Sequence, residues 1–252
     1  MARPAREFPA KLKNDAIVEA LVELRFDMPT GGLPEIFFVR LAQNPAWKEF
    51  EQRVLPAFQI PPVVRQSDEN LRYQPYFELA APDKSRTVRI GSQMLSYHRL
   101  APYVGWDQFQ VELKGVVDWL FSQISELTVR RMGLRYMNAL RTDLHGIESV
   151  LDLNLTLTVA DQRVSGNVNI NFTNAVSSDT VCTVRIATPE FIQGSIPPNT
   201  SVYVDVDVFT NEGFRSTNQA DVTAWINNAH TAEKQNFFRL LTDQKIRELK
   251  EK

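Results

Sequence analysis

Four segments of the C-terminal half, Leu151–Val159, Gly166–Thr173, Thr180–Ala187 and Val202–Phe209, alternate apolar and polar residues, and a long amphipathic stretch follows them. An alternation of period two places every second side chain on one face of a strand. The pattern predicts an antiparallel sheet with one polar face and one apolar face, the apolar face covered by a helix. That helix is expected from about Asp221 to Leu241, with Val222, Trp225, Ile226, Ala229, Phe237 and Leu240 on its buried side. At 1.5 Å per residue it is roughly 30 Å long, enough to cross a sheet. Thr242 and Asp243 read as a fresh N-cap, so Gln244–Lys252 is expected as a short separate helical tail.

The first half carries weaker versions of the same signals. Ile17–Phe26 alternates as a strand, ended by the Pro29–Gly32 stretch, and Pro34 suits the first turn of a helix reaching about Gln43. Trp47, Phe50, Val54 and Phe58 have helical spacing, which predicts a second helix over Trp47–Phe58, stopped by Pro61 and Pro62. Arg65–Asn70 reads as a polar loop. A strand carrying Leu71, Tyr73, Phe77 and Leu79 and a long strand Arg86–His98 follow, with Ala81–Ser85 as the turn. Phe109, Leu113, Val116, Leu120 and Ile124 make a helical stripe over Trp106–Ile124, and Arg130–Arg141 alternates as the next strand.

Strands outnumber helices and short links dominate, so the fold class is α+β, with antiparallel sheet packed against long helices. Two arrangements fit the order: a helix-grip-like fold with an inserted helix, or two adjacent sheet-plus-helix units. The corresponding division is residues 1–142, an N-terminal unit, and 143–252, a C-terminal four-stranded unit with its helix, or one continuous domain. At 252 residues the chain buries enough surface to need no covalent staples. The single cysteine, Cys182, shares the apolar side of its strand with Val184 and Ile186 and reads as a buried, inert thiol.

Met1–Lys13 is basic but has no apolar core of a signal peptide, and no apolar run reaches membrane-spanning length, so a cytoplasmic protein without membrane association is expected. Residues 1–142 hold 19 Lys and Arg against 16 Asp and Glu; residues 143–252 hold 9 against 14. This asymmetry permits a basic patch on the first half without the strongly basic character of a dedicated nucleic-acid domain.

Several spaced segments together resemble a sporadically distributed, uncharacterised bacterial protein family of roughly this length. They are Asn14–Ala20 with Arg25 and Phe26, Tyr103–Trp106 with Phe109, Gly133–Asn138, and His230 with Phe237 and Phe238. Members more often carry proline where this chain has Asp15. The resemblance implies no activity, cofactor or catalytic residue. Patchy distribution is associated with mobile genes, defence and toxin–antitoxin cargo among them.

The candidate residues follow from chemistry. Arg131 and Arg135 share a strand face and can grip a carboxylate or phosphate through the guanidinium fork, or simply form ion pairs. Asn138 falls on the apolar side with Tyr136, where its amide must find partners or line a cavity. Tyr103 and Trp106 stand at a loop–helix junction, where aromatics roof a pocket or staple the helix to the core. Asp205 and Asp207 share a face, as a solvated sheet requires, and no metal site is assigned to them. His98, His145 and His230 lack a second ligand at zinc spacing. Gly31-Gly32 lacks the pattern of a phosphate loop, and no nucleophile elbow or dinucleotide fingerprint occurs.

The leading expectation is a non-catalytic binding protein for a protein partner or small apolar ligand, without cofactor. Its pocket, if the core is not simply filled, would be lined by Tyr73, Phe77, Tyr136, Trp225 and Phe237. The alternative is a nucleic-acid-associated or phage-defence or toxin–antitoxin accessory factor, using Arg72, Arg89, Arg131 and Arg135 with Tyr76 as a stacking ring. A homodimer is compatible with either. An enzyme would instead require strongly perturbed titratable groups gathered in one cleft.

Overall fold

The computed structural model describes residues 8–28, 34–124 and 126–250. In chain order the elements begin with β1 (Ile17–Asp27), α1 (Pro34–Ala42), β2 (Glu51–Val54), α2 (Pro62–Ser67), α3 (Glu69–Arg72), β3 (Phe77–Ala80), β4 (Arg86–Ile90), β5 (Met94–Leu100) and α4 (Trp106–Gln123). The second half adds β6 (Thr128–Arg141), α5 (Thr142–His145), β7 (Thr158–Val159), β8 (Gln162–Arg163), β9 (Asn169–Ala175), β10 (Thr180–Ala187), β11 (Thr200–Thr210), α6 (Gln219–Arg239) and α7 (Asp243–Leu249). The protein is α+β, as its periodicity predicts.

Nine strands form one antiparallel sheet in the order β2-β3-β4-β5-β1-β6-β11-β10-β9. The sheet runs unbroken past residue 142, because β6 pairs with β1 on one side and β11 on the other. Each half repeats one plan. A long strand leads out, a meander returns its last strand to the side of the first, and a long helix follows. In the first half β5 returns beside β1 and α4 follows; in the second β11 returns beside β6 and α6 follows. Two sheet-plus-helix units therefore stand side by side, joined at β1 and β6.

Both long helices cover the same face. Ala20, Val22, Leu24 and Phe26 of β1, Met132, Leu134 and Tyr136 of β6, and Val202–Val208 of β11 at alternate positions supply the buried layer beneath them. Helices α4 and α6 run antiparallel, tied by Gln110 donating to Asn227 Oδ1 at 2.5 Å and by Gln219 donating to Asp118. Trp119 Nε1 donates to the Leu41 carbonyl at 3.1 Å, which ties α1 to α4. Cys182 is buried in this layer, and burial pushes its thiol up to about 12. Among the described residues no helix is long and apolar enough to cross a membrane.

Four expectations are corrected. Leu151–Val159 is not a sheet strand: Ser149 and Asp152 form a capping box around a 3-10 turn at Val150–Asp152, Leu153 makes an isolated bridge to Leu241, and Thr158 and Val159 pair in a separate small hairpin with Gln162–Arg163. The alternation is real but serves packing, with Leu153 buried and Leu155 and Leu157 against the core. Trp47–Phe58 is not a helix. Pro45 and Pro56 each start a 3-10 turn, and Glu51–Val54 between them is the edge strand pairing with β3. Arg65–Asn70 falls in two short helices that meet at the extended Asp68, because Pro62 has the fixed φ of a helix start and Asp68 caps α3 through Asn70 N–H; Leu71 and Tyr73 accordingly precede the strand, which is only Phe77–Ala80. Arg86–His98 is a hairpin and not one strand. Its turn needs Gly91, where an added Cβ would sit 2.4 Å from the Gln74 carbonyl oxygen. The Pro29–Gly32 stretch, including Gly31-Gly32, lies outside the described residues.

Candidate functional site

The structure divides the sequence-predicted residues between the two faces of the sheet. On the helix face it brings Tyr103, Trp106 and Tyr136 together with His230, which the sequence reading includes in the family resemblance but gives no role. The Trp106 indole stacks on the His230 imidazole at 3.8 Å and 10° between planes. The Tyr103 and Tyr136 hydroxyls are 2.8 Å apart, and the Tyr136 ring lies 5.8 Å from His230. One turn on, Glu233 is buried, its Oε2 4.0 Å from His230 Nδ1, and that nitrogen has no hydrogen-bond partner.

Burial pushes the Glu233 carboxyl up to about 8 and, with Lys234 nearby, the His230 imidazole down to about 4. Burial also raises both tyrosines. At neutral pH this is a neutral acid beside a neutral imidazole, sealed under a tryptophan. Asn138 sits at the edge of the same layer, its amide donating to the Tyr136 and Val204 carbonyls at 3.4 and 3.3 Å, which ties β6 to β11. These titrating groups are perturbed, as an enzyme would require, but Glu233 and Tyr136 are buried, His230 and Tyr103 are half-buried, and none of them lines either cavity described below.

The five residues expected around an apolar pocket do not meet: Tyr136 lies with Tyr103 and His230, away from the other four. Phe77 packs against Phe38 and Phe58, Phe237 against Phe238, Trp225 donates to Thr180 Oγ1, and Tyr73 lies elsewhere, under the Arg25 guanidinium. Tyr76 is buried, its ring covered by Arg65 at 4.0 Å, so it presents no face for stacking a base.

On the outer face, charges alternate along and across strands. Arg135 grips Asp205 with two bonds, Nε to Oδ1 at 2.8 Å and Nη2 to Oδ2 at 2.5 Å. This pairing raises the Arg135 pKa further, and it occupies both Asp205 oxygens. Asp207, opposite Arg135, is pushed up to about 6 by burial. Arg89 is held by Glu78 at 2.9 Å.

A Ser–His–Glu chain lies on this face too. Ser96 Oγ is 2.8 Å from His98 Nε2, and His98 Nδ1 is 2.6 Å from Glu19 Oε1. The connectivity is that of a catalytic triad, but its placement is not. Ser96 is opposite Glu23 on β1 and Arg89 on β4, inside a ladder that consumes the backbone N–H groups an oxyanion would need. Ser96 and His98 are 3% and 4% exposed. The chain works as cross-strand bonding that keeps a buried histidine satisfied.

Arg131 belongs to a different arrangement. With Arg25, Arg72, Arg130 and Arg215 it lines an open cleft of about 700 Å³ at the end of β1, β6 and β11, where five guanidinium groups face the carboxylates of Asp27, Glu69 and Glu212. Glu23 accepts from Arg25 at 2.7 Å and from Arg131 at 3.2 Å, and Asp27 accepts from Arg130. Arg72 and Arg215 have no carboxylate within ion-pair distance among the described residues; they donate to the carbonyls of Gln66 and Phe214. Two rings shape the walls: Arg25 lies 5.2 Å over Tyr73 and Arg131 4.8 Å over Phe209. Burial and the neighbouring Arg25 lower the Arg131 pKa, and Glu23 offsets this only in part.

Sequence reasoning found Arg131 and Arg72 but not Arg25, Arg130 or Arg215. Arg25 enters the sequence reading only as part of the family resemblance, without a role. Its position opposite Arg131, two like charges in register, appears only once β1 and β6 pair. Comparison of the chain with models of protein families and with curated proteins finds no match.

Proposed function

We propose that the protein is a non-catalytic binding protein whose ligand is a small polyanion bearing phosphate groups, held in the arginine cleft. The observation that carries this reading is the charge imbalance of the cleft: five guanidiniums, two of them without a carboxylate partner among the described residues, around an open volume of about 700 Å³. That volume suits a small-molecule ligand. Guanidinium forks match phosphate oxygens two at a time. Arg25 and Arg131 already share the Glu23 carboxylate, so the surplus positive charge of the cleft rests on Arg72 and Arg215.

The ligand class thus moves from apolar to anionic. Of the aromatic residues first considered for an apolar pocket, Tyr73 lines the arginine cleft and Trp225 a separate cavity of about 530 Å³, while Phe77, Tyr136 and Phe237 pack into the core, so the five do not form one apolar pocket. The test is thermal stabilisation by inorganic pyrophosphate. The wild type is expected to gain several degrees at saturating ligand, and the Arg72→Ala/Arg215→Ala double variant, which removes no internal ion pair, is expected to gain none. Equal stabilisation of the two proteins would refute the assignment.

A further inference from the structure

The large sheet ends in two edges that the sequence treats differently. One edge, β2, is guarded. It is four residues long, carries Glu51 and Arg53, and lies between Pro45 and Pro56. Arg53 is bonded to Glu78 of β3 at 2.6 Å. Short length, charge and proline are the devices that keep an edge from pairing with another chain. The other edge, β9, has none of them. Its seven residues, Asn169-Ile170-Asn171-Phe172-Thr173-Asn174-Ala175, include no charge and no proline, and most of them are exposed.

The hydrogen bonds at the two ends of β9 fix which of its backbone groups are left over. Val176 N–H donates to the Thr180 carbonyl and Thr188 N–H to the Val168 carbonyl, both at 2.9 Å. In an antiparallel ladder, opposed residues alternate between bonded and unbonded pairs. With Phe172 opposite Val184 and Asn171 opposite Arg185, the bonds to β10 fall on Ile170, Phe172 and Asn174. Asn169, Asn171, Thr173 and Ala175 therefore turn N–H and C=O outward, and no described strand lies beyond them. The side chains divide the same way. Ile170 and Phe172 are half-buried at the rim of the core, on the helix face with Val184 and Ile186, and Asn169, Asn171 and Thr173 are on the outer face.

We propose that β9 is a dimer edge and that its partner is β9 of a second copy of this chain, paired antiparallel about a two-fold axis at Phe172. In this register Asn171 faces Thr173 of the second copy and Asn169 faces its Ala175. Every outward N–H then meets an outward C=O, and none is left over on either strand. A register shifted along the strand leaves some of these groups unpaired. Phe172 meets its own copy as an unbonded pair, the kind in which side chains come closest, so the two half-buried rings cover each other. The charges are compatible as well. No like charge opposes another across the strands, and the net charge of -2 sets little repulsion between copies. A foreign peptide would gain the backbone bonds, but β9 offers no charge by which to select it. Because β2 is guarded, the pairing is closed at two copies and does not extend into a filament.

The experiment is sedimentation velocity of the full chain over a wide range of concentration. The wild type is expected to rise to twice the 28.8 kDa of one chain. Thr173→Pro removes an outward N–H and the exposed Thr173–Thr183 hydroxyl bond, and touches no backbone bond to β10. Asn171→Lys/Thr173→Lys sets lysine opposite lysine across the axis. Both variants are expected to stay at the single mass with an unchanged circular dichroism spectrum. Mixing Asn171→Lys/Thr173→Lys with Asn171→Glu/Thr173→Glu is expected to restore the doubled mass, with one copy of each. A merely damaged strand would not be rescued in this way, so the mixture decides even if the proline variant does not fold. A wild type at the single mass at every concentration overturns the proposal. So does a dimer that the variants retain, or one that mixing fails to restore. Growth past the doubled mass overturns closure at two copies.

Discussion

The most exposed test of residue-level chemistry is Glu233. Its pKa is raised by burial to about 8 in the folded protein, against 4.5 for an ordinary glutamate. Between those values the folded state holds a proton that the unfolded state has released. Stability contributed by this site therefore falls as pH rises through that window and levels off above it. Glu233→Gln removes the titration, so the difference in unfolding free energy between variant and wild type should grow from pH 5 to pH 8; a difference flat with pH contradicts the assignment. His230 has the opposite sign. Its lowered pKa, about 4 against 6.5, means that stability is lost as pH falls through that interval. Gly91 makes a steric prediction of the same scale. Gly91→Ala forces a Cβ against the Gln74 carbonyl and should cost about 1–3 kcal/mol in chemical denaturation. Neither residue was legible beforehand. His230 and Glu233 are three apart on a helix face, which the sequence shows, but the tryptophan over one and the burial of the other come from β6 and α4, distant in the chain.

At the scale of elements, period was a good guide where the residues belonged to a ladder or a long helix and a poor one where prolines and caps intervened. β1, β6, β10, β11, α4 and α6 all fall close to where alternation or helical stripe puts them. The failures share a cause. Leu151–Val159 alternates because the segment turns every second residue, Leu153, Leu155 and Leu157, against the core without joining the sheet, and Trp47–Phe58 has helical spacing because a turn, a strand and a turn happen to bring apolar residues round at that interval. Partners, not period, distinguish these cases. The Ser96–His98–Glu19 chain belongs to this scale too, since it joins β5 to β1. Ser96→Ala should leave His98 Nε2 unpaired at a buried position and cost about 1–3 kcal/mol. A fluorophosphonate probe is expected to leave Ser96 unlabelled; covalent labelling there would mean that the strand interior opens and that the chain acts as a nucleophile after all.

For the whole molecule, the continuous sheet is the governing fact. The two sheet-plus-helix units share the β1–β6 ladder, and α4 and α6 are bonded to each other above it. The shared core predicts one cooperative unfolding transition, with coincident curves by fluorescence and circular dichroism; two separated transitions would mark the units as independent domains. The same junction creates the arginine cleft, because Arg25 comes from the first unit, Arg130 and Arg131 from β6, and Arg215 from the connection after β11. The sequence shows the individual arginines but not their convergence, which depends on the pairing of strands more than a hundred residues apart.

The central claim is that this convergence binds a phosphate-bearing anion, and the most direct measurement is the equilibrium affinity of the wild-type chain for inorganic pyrophosphate at low and at high salt. A saturable one-site isotherm that weakens as salt rises is the predicted result, since charge attraction between partly exposed groups is screened. No saturable binding at low salt, or an affinity indifferent to salt, would contradict it.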